Sequence, residues 1–166
     1  MGGQALPIAG RLLCYPVRAM ITGYNHTSIT VGDMEKMLHF YRDIVGMELV
    51  AMLDNRHEGS GAQGSGFEGM HMKVAKLRLG GRFILELIEY VNKKGEKLDT
   101  RPTNIGSFHI AFTCVDIMET YRQMVAQGVK FRQAPHVWAG GKEGAVYGFD
   151  PDGNRFELTT ETKYFA

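Results

Sequence analysis

Two stretches of the chain, GYNHTSITVGD at residues 23–33 and GSFHIAFTCVD at residues 106–116, state one pattern twice. In each, a histidine (His26, His109) heads a short alternating run, and an aspartate (Asp33, Asp116) follows seven residues later. The alternation reads as a strand. Thr27, Ile29 and Val31 fall on one face of the first run, and His26, Ser28 and Thr30 on the other. In the second, Phe108, Ile110, Phe112 and Cys114 form the bulky face, opposite His109, Ala111 and Thr113. The bulky faces are expected to pack on a helix, leaving each histidine on a face with room for a ligand.

A helix signal follows each run. Asp33 is placed to cap, Met34, Met37, Leu38, Tyr41 and Val45 recur at helical spacing, and Gly46 provides the stop. In the second half Asp116 and Glu119 make a D-x-x-E capping pattern, Ile117, Tyr121, Met124 and Val125 form the stripe, and Gly128 closes it. From His26 to Gly46 is twenty positions and from His109 to Gly128 nineteen. Agreement in order, spacing and residue type marks an internal repeat. Each half ends in strands, GGRFILELIEY in the first and, after the turn-forming DPDG, NRFELTTE in the second. The glycine-rich HEGSGAQGSGFEG lengthens the first half as a loop.

A chain of 166 residues suits one compact domain or two small halves sharing a core. Its 19 basic and 18 acidic side chains leave no charge excess to hold nucleic acid or an acidic membrane, so function is expected in a local site. Cys14 and Cys114 form no CxxC pattern or disulfide framework, which points to a reducing, cytoplasmic setting. Residues 1–19, apolar but broken by Pro7, Arg11, Pro16 and Arg18, fit neither a membrane span nor an export signal. They are expected to form an N-terminal extension to a domain at 20–162, with module one at 20–95 and module two at 105–162.

The repeat also duplicates chemistry. A glutamate stands within the last apolar strand of each half, Glu86 and Glu157, matching the histidines at the other end of each unit. Taken alone, a histidine opening a strand is ordinarily hydrogen-bonded or partly exposed, and a strand glutamate ordinarily faces water. A pseudo-twofold arrangement would instead gather all four, and paired buried carboxylates need a strong positive charge beside them. Two neutral imidazoles and two carboxylates match one divalent ion, Zn, Ni, Co, Mn or Fe(II), and cancel its charge. A closed structural zinc site would ordinarily carry thiolates, which this set lacks.

At these residues the chain resembles the vicinal oxygen chelate superfamily, best known through glyoxalase I. The resemblance runs through NHTSITVGDMEKMLHFYRDIVGMEL, FILELIEY, FHIAFTCVDIMETYRQMVAQGV and FDPDGNRFEL. It implies an α+β fold of two tandem βαβββ modules, forming a curved mixed sheet around a metal site. His26, Glu86, His109 and Glu157 fall at the family's four ligand positions, and a homodimer is implied because many relatives build the metal cup between subunits. The chemistry implied is proton abstraction next to a carbonyl through a metal-chelated enediolate. Glu157 is assigned as the first base and Glu86 as its partner, acting on a small-molecule substrate.

The reading that follows is an epimerase or isomerase of a small hydroxy-carbonyl compound. A glyoxalase I-type lactoylglutathione lyase is the first alternative, although Thr30 and Tyr90 stand where glyoxalase I carries an arginine and an asparagine that contact glutathione. An Fe(II) extradiol-type dioxygenase and a non-catalytic resistance protein that binds small molecules are the others; the former resembles a three-ligand pattern with no use for Glu86. His57, His71, Arg101–Asn104, Trp138 and Lys142 could border a pocket, with solvated loop positions the ordinary alternative. His39 and Arg42 receive no role.

Overall fold

The computed structural model describes residues 21–56, 69–138, 140 and 143–160. The expected N-terminal extension and His57, Lys142 and residues 58–68 of the glycine-rich loop lie outside the described residues.

The first half runs β1 (Thr27–Thr30), α1 (Met34–Leu38), β2 (Glu48–Arg56), β3 (His71–Leu79) and β4 (Phe83–Tyr90). The second runs β5 (Ile110–Thr113), α2 (Ile117–Ala126), β6 (Lys130–Phe131), β7 (His136–Trp138), β8 (Glu143–Phe149) and β9 (Arg155–Thr159). Each half makes its own mixed sheet, ordered β1-β4-β3-β2 and β5-β9-β8-β6, with the short β7 also pairing β8. In both, the histidine strand joins parallel to the glutamate strand, and the remaining pairs are antiparallel. The repeat in sequence is thus a repeat in topology. The fold is the expected α+β architecture of two tandem modules, each contributing its own mixed sheet.

The helices begin as the capping residues require. The Asp33 carboxylate accepts from Lys36 N at 3.1 Å and that of Asp116 from Glu119 N at 2.9 Å. Both helical stretches end before glycines at φ +84°, Gly46 and Gly128, a backbone state that a side chain would strain. The first helix departs from its expected form after Leu38, continuing as a π-helical segment over His39–Ile44 in which Val45 N donates to Phe40 O at 2.9 Å. The wider turn lets the adjacent Phe40 and Tyr41 both bury fully.

One apolar core joins the halves, from Ile29, Met34, Met37, Leu85 and Leu87 to Ile117, Val146, Phe156 and Leu158. The Phe40 and Phe156 rings, centroids 5.5 Å apart, are its junction. Two expectations of the packed stripe fail. Phe108 is 48% exposed because β5 starts only at Ile110, and Val125 is 45% exposed on the outer side of α2.

The DPDG turn does more than introduce β9. Tyr41 Oη donates to Asp150 Oδ2 at 3.0 Å, and Gly32 N donates to Asp152 Oδ2 at 2.7 Å, so two turn aspartates hold the other half, one at its π-helical segment and one at its strand-to-helix junction. Burial pushes the Asp150 carboxyl above the usual carboxylate range despite donors from Asn154 and Tyr41. Burial, and then the charge of Asp150, push the Tyr41 hydroxyl far up.

Candidate metal centre

Strand register places each histidine beside its own glutamate. Ser28 pairs Glu86 across β1 and β4, and Ala111 pairs Glu157 across β5 and β9, with each histidine two residues earlier on the same face. His26 Nε2 lies 3.4 Å from Glu86 Oε1, and His109 Nε2 lies 3.1 Å from Glu157 Oε2. The glutamate side chains are only 13% and 19% exposed.

Those separations fit two neighbouring ligands of a single ion. Donors about 2.1 Å from an ion sit about 3.0 Å apart at a right angle and about 3.4 Å apart at a tetrahedral angle. His26 is also oriented for the task, because its Nδ1 meets Asn25 Oδ1 at 2.6 Å. An amide oxygen only accepts, so the proton sits on Nδ1 and the Nε2 lone pair faces Glu86.

The four residues are nevertheless brought together two by two. Among the described residues no group of three or more His, Cys, Asp and Glu side chains is arranged to hold a metal within the chain. Each module presents a two-donor half-site on its own sheet.

Around these pairs stand residues that the motif reading missed. Lys76 Nζ lies 3.3 Å from Glu86 Oε2, directly across the β3–β4 ladder. At the equivalent place in module two, Tyr147 faces Glu157 across β8–β9. Its hydroxyl hydrogen-bonds to Glu157 and is pushed up by burial and then by that carboxylate's charge, while its ring stands edge-on to His109 at 5.4 Å. Both residues lie ten positions before their glutamate. That matched spacing was a signal available in the sequence.

The other proposed pocket residues are engaged elsewhere. His71 Nε2 pairs with Asp54, and strand alternation puts it on the opposite face of β3 from Lys76. Arg101 pairs with Asp99, and Asn104 donates to the Asp99 carbonyl, so that segment ties up its own loop. Trp138 Nε1 donates to Glu143 Oε2 at 2.7 Å, bracing β7 on β8. His39 and Arg42 both bind Asp43 on the surface. Beyond the half-site of module one a cavity of about 600 Å³ opens, lined among others by Thr30, Tyr90, Lys97, Leu98, Phe108 and Asp152. No helix among the described residues is long and apolar enough to cross a membrane.

Comparison with known proteins agrees with this architecture. A probable chloroplastic lactoylglutathione lyase of Arabidopsis thaliana is 30% identical over 135 residues, 80% of this chain and 34% of that protein. This chain therefore spans about a third of that relative. A probable lactoylglutathione lyase of Synechocystis is 29% identical over 133 residues, 80% of this chain and 91% of that one. Among solved structures, a glyoxalase family protein from Bacillus cereus superposes with a TM-score of 0.74 at 16% identity, covering 86% of this chain and 96% of its own. The fosfomycin resistance protein FosX of Listeria monocytogenes, solved with Mn(II) and sulfate, does so with a TM-score of 0.58 at 23% identity, covering 86% and 95%. The duplicated module, the paired strands and a family match running from residue 23 to residue 158 lead to one conclusion: the chain belongs to the Glyoxalase/Bleomycin resistance protein/Dioxygenase superfamily.

Proposed function

We propose that the protein is a divalent-metal-dependent enzyme that moves a proton at a carbon next to a carbonyl, acting as an epimerase or isomerase of a small hydroxy-carbonyl compound. The observation that carries this reading is the spacing of each half-site, 3.4 Å and 3.1 Å between an imidazole nitrogen and a carboxylate oxygen. His26 and Glu86 of one copy, with His109 and Glu157 of a second, would hold Zn, Ni, Co, Mn or Fe(II) in a homodimer. The ion would supply Lewis-acid polarisation of the substrate's carbonyl.

The chain's own groups divide the proton work. Glu157 is the base that takes the proton from carbon, and Tyr147 steadies it with a neutral donor that leaves the carboxylate free to move. Glu86, first protonated from solvent, delivers the replacing proton, and both carboxyl groups exchange protons with water before the next turnover. Lys76 keeps its side chain ordered while it does so.

A second reading, lactoylglutathione lyase, draws on the names of the sequence relatives. Against it stand Thr30 and Tyr90, which line the cavity beside module one at the two positions where glyoxalase I carries the arginine and asparagine that contact glutathione.

One experiment separates these readings. Protein loaded with each divalent ion in turn is incubated in D₂O with α-hydroxy ketones, and separately with the hemithioacetal of methylglyoxal and glutathione. Deuterium entering the carbon beside the ketone, and failing to enter with Glu157→Gln, is the expected result. Turnover of the hemithioacetal alone selects the lyase, and inertness toward both with every ion rejects proton transfer.

A further inference from the structure

The face of β9 that carries Glu157 also carries Arg155. Burial alternates along the strand, Phe156 and Leu158 entering the core while Arg155, Glu157 and Thr159 share the other face. Arg155 and Glu157 are therefore roughly 6.6 Å apart along one strand. Arg155 Nη2 donates to Ser107 Oγ at 3.0 Å, but its Nε is buried with no hydrogen-bond partner among the described residues. Arg42, Arg78, Arg101 and Arg122 each pair with a carboxylate; among the described residues no such pair engages Arg155. That Nε is enclosed by protein, so an incoming anion would meet the terminal nitrogens of a guanidinium that no carboxylate among the described residues already neutralises.

The charge balance points the same way. Glu86 and Glu157 together cancel a divalent ion, which leaves Lys76 on one module's face and Arg155 on the other's as surplus positive charge.

We propose that Arg155 is an anion-binding, specificity-determining residue, and that the substrate is a small α-hydroxy-carbonyl acid whose carboxylate it takes. The planar fork of a guanidinium suits two carboxylate oxygens, and its distance from Glu157 suits an acid whose reacting carbon is a few bonds from the carboxylate. The inference rests on the proton-transfer reading, whose substrate class it names.

The test has an arm that needs no turnover. Calorimetry on the metal-loaded protein measures glycerate, a hydroxy acid, against glycerol. Glycerate should bind and glycerol should not, and Arg155→Gln should weaken glycerate at least about tenfold, with Arg155→Lys losing less because it keeps the charge without the fork. Circular dichroism melts of both variants establish that they are folded. In the second arm, deuterium exchange of hydroxypyruvate should fall at least about tenfold more than that of dihydroxyacetone in Arg155→Gln. No glycerate binding by the wild type, equal loss for both exchange probes, or inorganic phosphate displacing glycerate at lower concentration than glycerate itself would overturn the assignment. If exchange fails with every ketone while Arg155-dependent glycerate binding persists, the proton-transfer reading falls and the anion site stands.

Discussion

Lys76 and Tyr147 occupy the same place in the two modules, each directly across an antiparallel ladder from the glutamate of its half-site. One brings an ammonium to Glu86 and the other a phenol to Glu157. The two carboxylates are therefore unequal despite the repeat. A fixed positive charge 3.3 Å from Glu86 opposes an arriving cation, though with its side chain 37% exposed Lys76 is partly screened by water. Lys76→Met should tighten divalent-ion binding by about tenfold, about 1.4 kcal/mol, in competition with a chromophoric chelator. Weakening by a similar factor would show that Lys76 serves to orient Glu86 instead.

Tyr41 and Asp150 hold the modules together at a point where acid should matter. The donated hydrogen bond favours the charged carboxylate, while burial, the larger influence, pushes the Asp150 pKa up. With the folded pKa above the unfolded one, the contribution of Asp150 to stability is complete below its unfolded range and declines as pH rises through the folded value. Tyr41→Phe removes a donor and raises that folded pKa further. Its cost, about 1–3 kcal/mol near neutral pH, should shrink in acid. Urea unfolding at about pH 7 and about pH 4 tests this, and a cost independent of pH would contradict it.

Gly148 is required by packing rather than by backbone conformation. A Cβ there would stand 2.3 Å from Cζ and 2.7 Å from Cε1 of Phe156, a ring that is 1% exposed and held by Phe40, Phe112 and Phe131. Since that ring has nowhere to go, Gly148→Ala should cost about 1–3 kcal/mol. In a chain of this size, that lowers the melting temperature by roughly 2–4 °C for each kcal/mol. An unchanged melting temperature would mean that the Phe156 cluster can repack.

Local rules made much of this legible. The alternation at His26 to Val31, the caps Asp33 and Asp116, and the stops Gly46 and Gly128 each depend on neighbours a few residues away. The two glutamates were found because the repeat compares like positions. What escaped depends on partners distant in sequence or on packing. The π-helical segment at His39–Ile44 arises where Phe40 and Tyr41 both enter the core, and a stripe containing Tyr41 fits an ordinary helix equally well. Lys76 and Tyr147 share a ten-residue spacing to their glutamates, but only the β3–β4 and β8–β9 registers turn that spacing into proximity. Phe108 looked like a core residue from alternation alone, but the strand that would have buried it begins two residues later. The separation of the half-sites follows from how the modules dock through Phe156 and the DPDG turn.

Because the two half-sites do not meet within one chain, a shared ion requires a second copy, and that requirement can be tested by mixing disabled chains. One variant carries His26→Ala with Glu86→Gln, and the other His109→Ala with Glu157→Gln. Neither should bind a divalent ion tightly alone. If module one of each copy faces module two of its partner, a mixed dimer has one cup missing all four ligands and one cup with all four intact. Random reassortment makes about half of the dimers mixed, so a refolded equimolar mixture should recover about a quarter of the wild-type ion stoichiometry. Equilibrium dialysis with the ion, alongside sedimentation to establish the dimer, gives the count. A mixture that binds no more than its separate components would rule out the shared cup, whereas recovery near a quarter assigns His26 and Glu86 to one subunit and His109 and Glu157 to the other.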